Sequence, residues 1–367
     1  MQNTITNNDN FLKNKINLFE FDYVKMKDFF SSIGEQSFRA DQIMKWIYHR
    51  YCIKFENMTN FKKSLQKKLS LIACIIPPKF IKEQKSLDGT IKWSVSIGNQ
   101  LVETIYIPEK NRSTLCISSQ IGCALNCKFC FTGKQGFNRN LFVSEIIGQV
   151  WKACYFIIKN PILCLKPITN IVLMGMGEPL LNFKNVVSAI KIMIHPMGFG
   201  FSKNKITLST SGIPIAIDKL IQEVDINLAI SLHASNNKVR SKIMPINKKY
   251  NIQEILSSSS KYLKKSHTNK NGITIEYVML NNVNDSIKNA QELVQILSSS
   301  KNKINLIPWN YFYGSEYSSS SPEKIKKFAD YLSSKNFIVT IRKNRGKDIG
   351  AACGQLKGLI NNRKKIK

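Results

Sequence analysis

The sequence predicts an α/β protein in which strand–helix units repeat behind a small, mostly helical N-terminal domain and ahead of a basic C-terminal segment. Three observations carry this. Seven short apolar runs recur from residue 114 to residue 341, amphipathic helical stretches separate them, and helical spacing dominates before residue 95. The 367 residues suffice for one large domain or a medium domain plus a small one, and 43% hydrophobic residues supply a core. A disordered or collagen-like chain is thereby excluded.

The Asn-rich residues 1–15 are expected to be loose. From Asp28 to Leu71 the spacing is helical, with Phe38, Ile43, Trp46, Ile47 and Tyr48 on one face and then Phe61, Leu65 and Leu69. Between Lys45 and Lys68 stand seven Lys/Arg and one acid, Glu56, which reads either as a basic module or as a solvated face. A hairpin is predicted from Ile91–Ile97 and Leu101–Ile107, with Gly98-Asn99 at the turn. Strands are then predicted at Thr114–Ser118, Asn170–Met174, Lys205–Ser209, Asn227–Ser231, Thr274–Met279, Lys303–Ile307 and Phe337–Ile341. Most are apolar on both faces, as in a buried parallel sheet. Helices are predicted at Val143–Lys159, Val186–Ile194, Pro214–Glu223, Ile252–Lys265, Ile287–Ser298 and Pro322–Ser333, the last capped by Ser321 with Pro322 at its first position. The alternation fits an α/β barrel or an open doubly wound sheet, and both place chemistry at the carboxyl ends of the strands.

Lys+Arg number 54 against 24 Asp+Glu, a formal charge of +30. Such a field suits nucleic acid or an anionic membrane. With only 8 Arg and heavy use of Asn and Ile, an A+T-biased genome would produce the same excess, so charge alone does not establish RNA binding. The apolar runs fall well short of the ~18 residues a membrane span needs, and the polar start MQNTITNNDN lacks the layout of a secretion signal. A cytoplasmic protein is expected, in which 9 Cys point to metal or redox chemistry rather than to a disulfide framework.

The strongest chemical signal is Cys123-Ala-Leu-Asn-Cys127-Lys-Phe-Cys130, after the first strand of the repeat. Three thiolates this close are not expected to be core cysteines, because a loop has little core to enter. They are one short of a closed four-ligand zinc site, whereas on a four-iron cluster they leave one iron open. Zinc completed by Cys116, His233 or another residue stays an alternative. Gly175-Met-Gly177-Glu178-Pro179 ends the second strand, with glycines that admit close backbone approach and a carboxylate suited to an ammonium group. Further strand ends carry Ser209 in TLSTSG, Ser231-Leu232-His233-Ala234, and Trp309-Asn310; hydroxyls, an imidazole and an amide there suit a ribose, a carboxylate and an adenine. Of the other cysteines, Cys52, Cys74, Cys154 and Cys164 read as small hydrophobes. Cys353 lies in a Gly-flanked loop behind Arg342, Lys343, Arg345 and Lys347, a neighbourhood that favours the thiolate.

The CxxxCxxC loop, with Phe129 before its last Cys, resembles the radical S-adenosylmethionine superfamily. There the open iron binds the methionine end of S-adenosylmethionine, a role that Gly177 and Glu178 would share through the amino group. The stretches SFRADQIMKWIYHR, TLCISSQIGCALNCKFCFTGKQGFNRNL, SEIIGQVW, NIVLMGMGEPLLN, ITLSTSGI, LAISLHA, NLIPWN and RKNRGKDIGAACGQL together resemble the RlmN family of 23S rRNA and tRNA adenine-C2 methyltransferases, in order from about residue 28 to 356.

The resemblance implies a partial (β/α)6-type radical S-adenosylmethionine barrel at 96–335, an RNA-binding accessory domain at 1–95 and a segment at 336–367 carrying the methyl-acceptor Cys353. It implies a [4Fe-4S] cluster on Cys123, Cys127 and Cys130, and two S-adenosylmethionine per turnover held by Gly177, Glu178, Ser209, Ser231, Leu232, His233 and Asn310. It further implies methylation of adenosine 2503 in 23S rRNA and adenosine 37 in tRNAs through methylated Cys353, with resolution by a transient Cys353–Cys116 disulfide and Glu103 as proton acceptor. The partners it implies are 23S rRNA and tRNA and an electron donor such as a flavodoxin-type reductant, and it implies a monomer that uses no membrane. The nearest alternative is a Cfr-type enzyme acting on C8 of the same adenosine; a non-catalytic zinc-bound RNA-binding protein is the other.

Overall fold

The structure is a computed structural model describing residues 15–298 and 301–360; the loose stretch expected at 1–15, apart from Lys15, and the last basic residues 361–367 lie outside the described residues. Its contacts divide the chain into two compact units.

The first unit joins Met1–Pro78 with Phe142–Cys164 and Lys184–Phe201. It holds the helices Tyr23–Ser32, Arg39–Met44, Lys63–Ile72 and Val143–Lys159. Leu18, Phe19, Met26, Phe30, Ile43, Ile47, Tyr48 and Leu69 form a core without solvent access, and Trp151 closes it by donating its indole N–H to Ile47 O at 2.7 Å. The helical face expected around residue 46 is only partly right. A single π-helical turn, Lys45–His49, follows Arg39–Met44 and changes the phase of the apolar stripe. Ile43, Ile47 and Tyr48 are buried, whereas Phe38 is 50% exposed and Trp46, only partly buried, lies under Arg50 at 4.2 Å. Cys164, expected as a buried small hydrophobe, is exposed with a left-handed φ of 47°.

The second unit contains one ten-stranded sheet. Its strands are β1 (Lys79–Lys85), β2 (Ile91–Ile97), β3 (Gln100–Pro108), β4 (Ser113–Cys116), β5 (Asn170–Leu173), β6 (Ile206–Thr210), β7 (Asn227–Ser231), β8 (Ile273–Met279), β9 (Asn302–Pro308) and β10 (Ile338–Ile341). They stand in chain order across the sheet, β1 to β4 antiparallel and β4 to β10 parallel. The seven parallel strands are those the sequence predicted, within two residues at each end. The sheet does not close: β1 and β10 are edges, which makes it the partial barrel expected of a radical S-adenosylmethionine fold. Residue 95, the expected domain boundary, falls inside β2, because the antiparallel strands continue the same ladder. The strand β1 was not predicted; its alternation Lys79-Phe-Ile-Lys-Glu-Gln-Lys is mostly polar and exposed.

The expectation of strands apolar on both faces fails on the inner face. Thr114, Thr207, Thr274, Lys303, Asn305 and Thr340 line a cavity of about 1530 Å³ there, since an incomplete barrel leaves its lumen open to water. Helices Pro214–Glu223, Ile252–Lys265, Ile287–Leu297 and Pro322–Ser334 follow their strands as predicted. Ser321 caps the last by accepting from Lys324 N–H. No helix among the described residues is long and apolar enough to cross a membrane.

The loop after β8 is held by Asn284, which has no solvent access. Its side chain accepts Leu280 N–H (2.8 Å) and donates to His233 O (2.8 Å) and Val278 O (2.7 Å). Asn284→Ala strands these groups without water, and should cost about 3 kcal/mol in urea unfolding with an unchanged m-value.

Candidate active site at the carboxyl ends of the strands

The parallel register delivers the ends of β5 to β10 to one edge, around a cleft of about 750 Å³ lined by residues of these strand ends and of the cysteine loop. The cysteine loop is a hairpin excursion. Gln120–Gly122 pairs antiparallel with Phe137–Asn140, and Cys123 N–H donates to Gly136 O at 2.8 Å. Gly122 has φ +75°, and a Cβ there would stand 2.0 Å from Gly136 O, so only glycine closes this neck.

The loop is not the poorly packed segment expected. Leu125 and Cys127 are buried in an apolar cluster with Ala234, Ile243, Met244, Val278, Trp309 and Phe312, and Cys123, Phe129 and Cys130 pack against it. Burial, reinforced by mutual repulsion, pushes the Cys127 thiol up to about 12 and raises Cys123 and Cys130 as well. Thiolates in such surroundings need a positive partner. Among the described residues no three His, Cys, Asp or Glu side chains converge as ligands of one ion would; thiolates that each hold a different iron of a cluster stand further apart. Soft sulfur donors in a water-poor, apolar loop fit an iron–sulfur cluster.

Beside them, Glu178 is 3% exposed. Its carboxylate accepts Leu180 N–H (3.1 Å) and Ser211 N–H (2.8 Å); burial nevertheless raises its pKa against the pull of these donors. It lies close enough to Cys123 and Cys127 to oppose their ionisation, so an ammonium group bound here would be adjacent to the cluster. Ser209 and Ser231 Oγ atoms stand 3.3 Å apart. Asn310 donates to Cys353 O at 3.3 Å, while its buried Oδ1 has no partner; that orphaned acceptor fits an N–H donor such as an adenine amino group. His233, at φ +58°, accepts Val278 N–H at Nδ1 (3.0 Å), which leaves its proton on Nε2, and its ring meets Phe129 edge-on at 4.8 Å. Gly177, Glu178, Ser209, Ser231, His233, Asn310, Cys130 and Cys353 thus line one cleft. Leu232 does not; it is fully buried, with its N–H on Glu276 O.

Cys353 and Cys116 are free thiols that share Arg342. The Cys353 sulfur is the first of the groups that strengthen Arg342's hold on its proton, with Glu276 and Cys116 next. Burial pushes Cys116 up to about 12, and Arg342 pulls it back. Glu103 does not reach the cleft: its carboxylate faces Lys92 at 3.2 Å and accepts Lys357 N–H at 3.0 Å.

Sequence reasoning missed two charged residues. Glu276, inside β8, is buried and bonded by Asn305 at 2.9 Å; an acid within an otherwise apolar strand was its only signal. Arg240 has no solvent access and donates to Leu232 O, Ser231 O, Ser211 O and Asn247 Oδ1, tying the β6 and β7 ends together beside Cys127. No motif marked it.

Gly177→Ala would place a Cβ 2.4 Å from the Gln120 Cβ at φ +100° and should abolish S-adenosylmethionine binding by calorimetry while the fold persists. Burial depresses the His233 pKa to about 3 from 6.5. The unfolded chain binds more protons between those values, so this contribution to stability is full above 6.5 and is lost as pH falls towards 3. His233→Asn should flatten the pH dependence of urea unfolding across that window.

Residues 16–75 match the family model described as the ribosomal RNA large subunit methyltransferase N-terminal domain, and residues 117–294 match that of the radical SAM superfamily. The chain is 57% identical over 353 residues to the dual-specificity RNA methyltransferase RlmN of Buchnera aphidicola subsp. Baizongia pistaciae (strain Bp), covering 96% of this chain and 95% of that protein. It is 56% identical over 358 residues to that of Buchnera aphidicola subsp. Schizaphis graminum (strain Sg), covering 96% and 97%. The crystal structure of a radical SAM methyltransferase from Sphaerobacter thermophilus superposes with a TM-score of 0.86 at 34% identity, over 93% of this chain and 99% of that one. Such identity over nearly the whole length shows that the chain belongs to the RlmN family of radical S-adenosylmethionine RNA methyltransferases, which work with S-adenosylmethionine and a [4Fe-4S] cluster.

Proposed function

We propose that this enzyme methylates C2 of an adenosine in 23S rRNA and in tRNAs, with Cys353 as the methyl carrier and Cys116 as the thiol that frees the product. The observation that carries the reading is the meeting of Cys353, Cys116 and Arg342 beside the cleft bounded by Cys130, Glu178 and Asn310. C2 of adenine lies between two ring nitrogens and is electron-poor, so it does not attack an electrophilic methyl group. The methyl group must first be carried by the protein.

When bound, the cluster and two S-adenosylmethionine molecules per turnover supply an electrophilic methyl group and a 5′-deoxyadenosyl radical. Cys123, Cys127 and Cys130 hold the cluster; Gly177 and Glu178 receive the methionine amino group, with Ser209, Ser231, His233 and Asn310 around the rest. Cys353, which lies beside the Arg342 guanidinium, would take the methyl group on its sulfur; that group would then lose one hydrogen atom to the radical, and its carbon would bond to C2 as a covalent S–CH2–C2 enzyme–RNA link. Cys116, as the thiolate that the Arg342 charge favours, would accept the C2 proton while one electron passes back to the cluster. Its sulfur would then lose that proton and attack the Cys353 sulfur, breaking the S–CH2 bond, and the freed carbon would take up a proton to become the methyl group as the base departs and the disulfide remains. Arg342 is the group that offsets the burial which keeps Cys116 a thiol at rest. For Glu103 to accept that proton instead, it must first release Lys92 and Lys357.

The target base has to leave its stack to enter the cleft. The seven Lys/Arg between Lys45 and Lys68 are all exposed and suit RNA phosphates, as does the basic C-terminal segment. The enzyme works as a cytoplasmic monomer with a flavodoxin-type electron donor.

Nucleoside analysis of 23S rRNA and tRNA from cells with and without this protein should show 2-methyladenosine only in its presence; 8-methyladenosine would instead establish the Cfr-type reaction. A colourless protein with stoichiometric zinc after anaerobic reconstitution would overturn the enzymatic reading. Cys353→Ala should form no covalent RNA adduct and Cys116→Ala should accumulate one, read by gel shift under denaturing conditions.

A further inference from the structure

Lys92 and Glu103 form an ion pair at 3.2 Å whose side chains are only 4% and 6% exposed. The ladder explains how they meet. Lys92 pairs with Ile105 and Ile105 with Cys116, and Glu103 lies two residues before Ile105, so all of them project from the same face of the sheet. Each member of the pair then reaches the C-terminal segment. Lys92 Nζ donates to Gly350 O at 3.3 Å, and Glu103 Oε2 accepts Lys357 N–H at 3.0 Å. Gly350 has φ +62°, and a Cβ there would lie 3.7 Å from Lys92 Nζ.

We propose that the buried Lys92–Glu103 pair is a clamp that sets the position of the Cys353 loop, and that Lys92 is a positioning residue for methyl transfer. Cys353 lies between the two backbone atoms that the pair grips, residues 350 and 357. The opposite side of the loop is bonded to the cysteine hairpin, through Phe131 N–H to Gly354 O (2.8 Å) and Thr132 Oγ to Leu356 O (2.8 Å). The segment carries little regular structure of its own, so these bonds, with Asn310 donating to Cys353 O at 3.3 Å and Gln355 donating to Tyr311 O at 2.8 Å, set where the thiol stands, and the buried pair supplies the two that flank it on either side. Stability alone does not account for the pair, since a buried ion pair is often replaceable by apolar side chains of similar volume without loss of stability. A fixed pair of charges that grips backbone at both ends of a loop does what apolar side chains cannot, which is to select one register of that loop.

The role of Cys353 in catalysis rests on the reading above, but the clamp is tested without it. In the cluster-loaded enzyme, Lys92→Met should let iodoacetamide alkylate Cys353 about tenfold faster, by mass spectrometry, because the loop opens more often. Reductive cleavage of S-adenosylmethionine without RNA should stay within about twofold of the parent, since no ligand of the cluster or cosubstrate is altered. The double variant Lys92→Met/Glu103→Leu removes both charges, and should keep the fold while alkylating as fast as the single variant. In the parent, the Lys357 amide should be protected from hydrogen exchange although its side chain is exposed. Parental alkylation rates in the double variant, or an unprotected Lys357 amide, would overturn the clamp. If Cys353 responds to Lys92 while the parent methylates no RNA, the clamp stands and the proposed reaction falls.

Discussion

A parallel strand must return to the end from which it started, and this constraint organises the whole site. Seven strands in chain order, joined by six return connections, deliver their carboxyl ends to one edge. The cysteine hairpin, the Gly175–Pro179 turn, Ser209, Ser231, His233, Asn310 and Arg342 are scattered over more than two hundred residues of chain, yet each needs only its own strand to be in register. Glycines at the neck of the hairpin and at residue 177 complete the arrangement where backbone comes too close for a side chain.

Charge in a water-poor setting is the second organiser. The cysteine loop is packed among apolar side chains, so its thiols ionise only if positive charge is supplied. Arg240 provides part of it beside Cys127, and Arg342 provides it for Cys116, outside the loop. Neither is a surface cation. Arg240 is held by four acceptors, and Arg342 faces two thiols and the buried carboxylate of Glu276. Such fixed charges cost no reorganisation during the reaction, which is the usual source of catalytic electrostatics. The Lys92–Glu103 pair applies the same economy to a loop: two charges satisfy each other and spend their remaining hydrogen bonds on the backbone around Cys353.

Much of the fold was legible because period and capping act locally. The helices Val143–Lys159, Pro214–Glu223 and Ile252–Lys265 occur at the residues read from the sequence, and the strands lie within two residues of expectation. The polar strand β1 was not legible, since it draws its order from pairing with β2 rather than from its own composition. The helical stripe failed for a similar reason: Phe38 falls in the turn ahead of the helix Arg39–Met44 and is exposed, and the π turn at Lys45–His49 leaves Trp46 only partly buried, while the pattern of letters is unchanged.

By itself the sequence determined the strand–helix alternation, the thiol spacing Cys123, Cys127 and Cys130, and the order of the strand-end motifs, because spacing and periodicity are properties of neighbouring residues. Tertiary structure decided that the cysteine loop is buried, that Asn310 keeps an unpartnered oxygen in the cleft, that Arg342 is the basic residue before Cys353 that interacts with both thiols, and that Glu103 answers to Lys92. These depend on side chains brought together across many residues of chain, where burial and Coulomb attraction set the outcome, and no local pattern records which distant partner will arrive.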